Sequence, residues 1–230
     1  MVQPVTNKKG ILKISLKLVL TGILFLVCLF TFSLIAHEAV LEKEEVFDNK
    51  VFSFFSSFSS PGFINLMEIF TFFGSSTFLL SAYVVIIGFF FIRKQYRYGI
   101  DIAIIALSST GLMYVLKQIF HRQRPDLPII KGITSYSFPS GHTLSSFIFC
   151  SILVYIIYNS ALQKWLKWLL SVFLVLFAIT IGMSRIVLKA HFPTDVAASF
   201  CLGIIWVILA FWLLRKIGFS KYNTAKKKIS

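Results

Sequence analysis

The chain is poor in the residues that would build other kinds of protein. Only three of its 230 residues are cysteine, and Cys28, Cys150 and Cys201 all lie inside apolar runs. That excludes a disulfide framework, and their spacing is not that of a zinc site, so they read as small buried hydrophobes. Acids are scarce as well: nine Asp and Glu stand against 23 Lys and Arg, for a formal net charge of +14. No stretch is rich enough in Gly, Ser or Pro to be a linker, and no long-period repeat recurs. The whole of 1–230 therefore reads as a single domain.

What the chain has in excess is apolar surface. Hydrophobic residues make up 57% of it, with a mean hydropathy of +0.82 and 26 Phe. A soluble domain is nearer half apolar, and crossing a bilayer takes roughly 20 apolar residues. Six stretches reach or approach that length: Leu16–Ala36, Thr77–Ile92, Ile100–Phe120, Thr143–Asn159, Trp168–Met183 and Val196–Leu214. The second, fourth and fifth are short for a span. The expected fold is all-α, a six-span transmembrane helical bundle, and the Phe residues are its lipid-facing and bundle-filling bulk.

Charge placement orients the bundle. Lys8, Lys9, Lys13 and Lys17 precede the first span, and Arg93, Lys94 and Arg97 lie between the second and third. Lys164 and Lys167 separate the fourth and fifth, and Arg215, Lys216, Lys221 and Lys226 to Lys228 follow the sixth. With six spans these groups share one side, which the positive-inside rule makes cytoplasmic. Glu38, Glu42, Glu44, Glu45, Asp48, Glu68, Asp126 and Asp195 fall on the other, leaving only Asp101 near the inner boundary. The expectation is a multi-pass protein of the cell membrane with both termini cytoplasmic. The basic residues form short juxtamembrane clusters, which argues against a nucleic-acid partner. The first span, long and without a small-residue cleavage site, reads as an uncleaved signal anchor rather than a cleaved signal peptide.

Three short segments carry the chemistry. Lys117 and Arg124 are seven apart, two helical turns, so both can share one face, and Pro125 ends the helix. Lysine offers a mobile charge and arginine a planar fork for two phosphate oxygens. Pro139-Ser140-Gly141-His142 closes a loop before the fourth span. There Ser140 is a natural N-cap, Gly141 lets backbone approach a ligand, and the helix N-terminus attracts an oxyanion. His142 is placed to protonate a leaving oxygen. The third segment is Ser184-Arg185 with His191 and Asp195, these last two four apart with Pro193 between them. The carboxylate can accept from one ring nitrogen of His191, leaving the other nitrogen's lone pair to attack phosphorus. Arg185 adds a second guanidinium for charge on the equatorial oxygens. A metal is disfavoured, because the surroundings are cationic and further ligands do not cluster there. His121 and Arg122 read as interfacial. With six spans, all three segments converge on the outer face.

As a set, these segments resemble the signature of the type 2 phosphatidic acid phosphatase family, the membrane branch of the acid phosphatase and vanadium haloperoxidase superfamily. Lys117, Arg124, Pro125, Pro139, Ser140, Gly141, His142, Ser184, Arg185, His191 and Asp195 match it in order and spacing. The likeness spans residues 75–214, the expected phosphatase core. It implies a metal-independent, cofactor-free lipid phosphatase with an extracytoplasmic active site. In it His191 would form a phosphohistidine, His142 would act as acid and then base, and Asp195 would orient His191. Lys117, Arg124, Ser140, Gly141 and Arg185 would hold the phosphate.

The expected partner is a lipid phosphate or diphosphate in the membrane. Undecaprenyl pyrophosphate is favoured by topology, and phosphatidylglycerol phosphate and phosphatidic acid are the alternatives; no residue reads the lipid. A non-catalytic lipid-phosphate binder or transporter would need the cations but not His142, His191 and Asp195. A vanadate haloperoxidase fits poorly with six spans. Oligomeric state is not legible. In the outer segment 37–76, the spacing of Phe63, Leu66, Met67, Phe70 and Phe73 predicts a helix. It would lie in the interface beside a lateral entrance, or pack on the bundle.

Overall fold

The computed structural model describes residues 8–43, 45–126, 128–130, 135–214 and 216. Among them the fold is all-α. Helix α1, Lys8–Ile35, runs on through a π-helical turn, Ala36–Leu41. Then come α2 (Val46–Ser56), α3 (Pro61–Phe73), α4 (Ser76–Ile92), α5 (Tyr96–Phe120), α6 (Gly141–Asn159), α7 (Lys164–Val187) and α8 (Pro193–Leu214).

Helices α1 (with its extension), α5, α6, α7 and α8 are long and apolar enough to cross a membrane, and α3 with α4 makes a sixth candidate bent by 43°. The expected second span is thus short because its helix is broken. Gly74 and Ser75 sit at the corner. Ser60 and Ser75 cap α3 and α4, their hydroxyls accepting the Phe63 and Phe78 N–H groups at 3.3 and 3.2 Å. Such caps contribute about 1 kcal/mol each. The fifth span, expected to be short, is a 24-residue helix. It gains a basic, Trp-containing first turn, where Lys167 donates to the Tyr158 and Ser160 carbonyls at 2.9 and 2.7 Å and so caps the end of α6. Its last turn takes in Ser184 and Arg185.

Helix α6 is the hub. Leu144, Ile148 and Ile152 pack with Phe90, Ile102, Ile105 and Leu202 from α4, α5 and α8. Gly203 lets α8 close on α6, since a Cβ there would lie 2.5 Å from a Phe147 ring carbon. Membrane helices gain little from apolar burial against lipid, so close packing of this kind holds them together. Helix α1 packs along α8 and otherwise faces outward, with only 6% of its span buried. Cys28 and Cys150 are buried, Cys201 is half-buried, and all three are free thiols.

The segment between α1 and α4 packs on the bundle. Met67 of α3 is buried against Val187 and Leu188, and Phe70 and Phe73 meet Phe177 of α7. Through Thr71 and Phe72, the last turn of α3 also lines a large cavity between the helices. Helix α2 buries one residue, and it is Asp48.

Candidate active site

The three segments meet at one end of the bundle, at the C-terminal ends of α5 and α7 and the N-terminal ends of α6 and α8. Helix α5 ends four residues before Arg124, not at it. His121 takes the left-handed conformation (φ 47°) and its N–H closes on the Lys117 carbonyl at 3.2 Å. Lys117 and Arg124 therefore do not share a helix face. Lys117 lies in the last helical turn, Arg124 in the loop beyond, and the two converge on the Tyr136 carbonyl. Arg124 Nε donates to the Ser135 carbonyl at 2.7 Å and Nη2 to the Ser135 hydroxyl at 3.0 Å. Its Nη1 donates to the Ala190 carbonyl and lies 3.1 Å from His191 Nε2. Burial lowers the Arg124 pKa from its ordinary value, with Asp195 opposing.

Ser140 occupies the N-cap of α6, as expected, but its hydroxyl pairs with the Thr143 hydroxyl at 2.9 Å and caps no amide. The first-turn N–H groups keep their capacity for an anion. Gly141 serves helix packing, because a Cβ there would lie 2.7 Å from Met113 Sδ of α5. His142 is half-buried under the α3–α4 corner. A Cβ on Gly74 would come within 3.2 Å of His142 and 2.7 Å of Ile181 Cγ2, so only glycine lets this corner sit there.

From the end of α7, Arg185 Nη1 donates to the Thr71 hydroxyl at 2.7 Å, while its Nε is buried without a partner among the described residues. A buried unpaired donor costs stability and marks a place for an acceptor. Pro193 opens α8, which brings Asp195 one turn beyond His191. The His191 ring is 2% exposed. A guanidinium can only donate, so Arg124 Nη1 beside Nε2 makes that nitrogen the acceptor and leaves the ring proton on Nδ1. Nδ1 faces Asp195 Oδ2 at 3.5 Å and the Ser137 hydroxyl at 3.4 Å. The pairing expected from the spacing is thus present but long, with Ser137 donating to the same carboxylate oxygen. Burial pushes the His191 pKa down to about 3, with Arg124 and Arg185 adding to the effect and Asp195 opposing it. The ring is therefore neutral at physiological pH.

Several functional neighbours escaped the sequence reading. Arg122, expected at the interface, is buried. It donates from Nη1 to Asp195 Oδ1 at 2.7 Å and from Nη2 to Asp48 Oδ2 at 2.9 Å. The two arginines of Arg122-x-Arg124-Pro125 thus take opposite ends of the His191–Asp195 pair, and that repeated arginine was the available signal. Ser137 had none beyond lying two residues before Pro139. Asp48 lies 74 residues upstream of Arg122, and nothing local ties the two together.

Lys117, Arg124, Gly141, His142, Arg185 and His191 all line one cavity of about 680 Å³. It continues between α4 and α5 past Leu79, Leu80, Val84, Ile87 and Leu107, so a charged mouth opens into an apolar trough. Three cations and a helix N-terminus share this cavity with the His191 ring, a set of groups suited to holding a phosphate and attacking it in line. Among the described residues no three His, Cys, Asp or Glu side chains gather to hold a metal ion.

The chain is similar to known proteins. Residues 98–219 match the PAP2 superfamily. Over 152 residues the chain is 33% identical to phosphatidylglycerophosphatase B of Bacillus subtilis, covering 65% of this chain and 74% of that protein. It is 32% identical over 98 residues to the bacitracin transport permease protein BcrC of Bacillus licheniformis, covering 40% of this chain and 43% of that one. The crystal structure of a transmembrane PAP2-type phosphatidylglycerolphosphate phosphatase from Bacillus subtilis superposes with a TM-score of 0.73 at 28% identity, over 86% of this chain and 98% of the other. LpxE of Aquifex aeolicus shares the fold, with a TM-score of 0.55 at 23% identity over 70% and 93% of the two chains. A family match across more than half of the sequence, together with a solved membrane fold that covers 86% of it, leads to one conclusion: this chain belongs to the PAP2 superfamily and is a membrane lipid phosphatase.

Proposed function

We propose that the protein removes phosphate from a lipid at the extracytoplasmic face, through a phosphohistidine on His191. The observation that carries this is the placement of His191 Nε2. It is stripped of its proton, faces Arg124 at 3.1 Å, is backed through Nδ1 by Asp195, and borders the cavity that leads to the apolar trough. In the resting protein Arg124 and Lys117 are parked on the carbonyls of Ala190 and Tyr136. Phosphate oxygens take over those donors, with the free Arg185 Nε and the α6 amides. Nε2 then attacks phosphorus, the ester oxygen leaves, and His142 gives it a proton. Asp195 balances the positive charge left on the ring. Water next attacks the phosphohistidine, His142 accepts its proton, and inorganic phosphate departs. No step in this reading calls for a metal.

The likeness to phosphatidylglycerophosphatase B favours phosphatidylglycerol phosphate as substrate, its acyl chains lying in the trough between α4 and α5. Undecaprenyl pyrophosphate, the expectation from topology, is the competitor. The phosphatase core is taken as 75–214, within a single membrane domain. The basic clusters at the α4–α5 and α6–α7 turns, at the end away from the site, support cytoplasmic termini. Incubating the protein with 32P-labelled phosphatidylglycerol phosphate or undecaprenyl pyrophosphate and quenching in alkali tests both points. A base-stable, acid-labile label on wild type and none on His191→Ala supports the phosphohistidine, and the faster-labelling lipid is the preferred substrate. Label that persists in His191→Ala rejects it.

A further inference from the structure

Asp195 is not the only carboxylate bound to the guanidinium behind the nucleophile. Asp48, wholly buried on α2, takes Arg122 Nη2 at 2.9 Å, the Thr194 N–H at 2.8 Å and the Thr194 hydroxyl at 2.7 Å. Asp195, also wholly buried, takes Arg122 Nη1 at 2.7 Å, the Phe192 N–H at 3.0 Å and the Ser137 hydroxyl. Among the described residues each of these hydrogen bonds is donated to the carboxylate, the pattern an acceptor-only group takes. Arg122 lies between them, with its Cζ 4.0 Å above the Phe192 ring.

The charges count as two negative and one positive. Without Asp48, Arg122 and Asp195 would cancel, and the imidazole would face a neutral pair. A bare Arg122–Asp195 pair would hold the ring in place yet give nothing to the charge that forms on it when phosphorus is bound. We infer that Asp48 is a positioning residue of the outer helix that neutralises Arg122, leaving Asp195 as a full counter-ion to His191. This explains why α2 buries a lone acid against Arg122. A carboxylate that only pinned α2 would need no charge balance with a group 74 residues away.

The inference rests on the phosphohistidine reading, and a double-mutant cycle separates the two. Wild type, Asp48→Asn, Arg122→Gln and the double variant are purified in detergent. Phosphate release from dioctanoyl phosphatidic acid is followed over a range of concentrations. Asp48→Asn is expected to lower kcat on the order of 10²-fold, because the counter-ion is cancelled, with KM changed less than about threefold, because the phosphate-binding cations are untouched. The double variant is expected to recover at least about tenfold over Asp48→Asn, since removing Arg122 frees Asp195 again. It should also be no worse than Arg122→Gln, a comparison that holds even if Asp48→Asn alone does not fold. Losses that accumulate in the double variant, or wild-type kcat in Asp48→Asn, overturn the charge-balancing role and leave a pin. A parallel His191→Ala control that still releases phosphate would instead sink the phosphohistidine reading, and this role with it.

Discussion

Replacing Asp195 by Asn removes one charge and almost no volume, and the donors around the carboxylate decide the consequence. Asp195 Oδ1 accepts from Arg122 Nη1 at 2.7 Å, so the amide oxygen of Asn must stay on that side. The amide NH2 then takes the place of Oδ2. There it meets the Ser137 hydroxyl, the Phe192 N–H at 3.0 Å and His191 Nδ1 at 3.5 Å. Donors now face donors. Moving the ring proton to Nε2 relieves Nδ1, but sets an N–H against Arg124 Nη1 at 3.1 Å and buries the lone pair that should attack. The wrong tautomer and the lost counter-ion together resemble the carboxylate-to-amide change in a serine-protease triad. The expected fall in kcat is therefore about 10³- to 10⁴-fold, or about 4–5.5 kcal/mol of transition-state stabilisation. KM should hold within a few-fold, because Lys117, Arg124 and Arg185 remain. Steady-state phosphate release by monodisperse protein in detergent measures both. A kcat within about threefold of wild type would refute the reasoning, and so would a loss confined to KM.

Other consequences are open to direct measurement. Gly74→Ala sets a methyl 2.7 Å from Ile181 Cγ2 and 3.2 Å from His142, and overpacking of this kind costs about 1–3 kcal/mol. The variant should melt lower and lose about tenfold or more in kcat as His142 is displaced; a wild-type melt and rate would show that the corner yields freely. His191, held neutral down to about pH 3, ordinarily titrates near 6.5. Below that value the unfolded chain binds a proton that the folded one refuses, so this contribution to stability is full above pH 6.5 and is lost progressively toward pH 3. The melting temperature should fall across that window less steeply in His191→Gln than in wild type, and identical slopes would contradict the burial argument. Finally, a cysteine placed at Lys131, which lies outside the described residues, should react with an impermeant thiol reagent on intact cells. Reaction only after permeabilisation would invert the topology.

How much of this was legible beforehand depended on the range of each signal. Apolar runs and basic clusters are local and dense, so the helices and their alternation could be read directly. The broken second span could not, because Gly74-Ser75 also reads as an ordinary helix start and the bend comes from packing against Ile181 and His142. The fifth span looked short because Trp165, Lys167, Ser184 and Arg185 dilute its hydropathy while remaining helical. At the site, residue types and spacing singled out the cations, both histidines and Asp195, which the structure brings to one end of the bundle. They misplaced the end of α5, since Pro125 marks where a helix must have stopped and not where it does. They also missed the Asp48–Arg122–Asp195 cluster, whose members are 74 and 73 residues apart in sequence and meet only when α2 packs on α8. A buried ion network announces itself by burial, and the sequence offered Arg122 only as a base at a membrane boundary.

The central claim is that His191 performs the chemistry without help from a metal. It is tested most directly by following phosphate release from phosphatidylglycerol phosphate, undecaprenyl pyrophosphate and phosphatidic acid with excess EDTA, for wild type and His191→Ala side by side. Wild type should release phosphate at a rate that EDTA leaves unchanged, and His191→Ala should release none. Release that EDTA stops, or that His191→Ala retains, would contradict it.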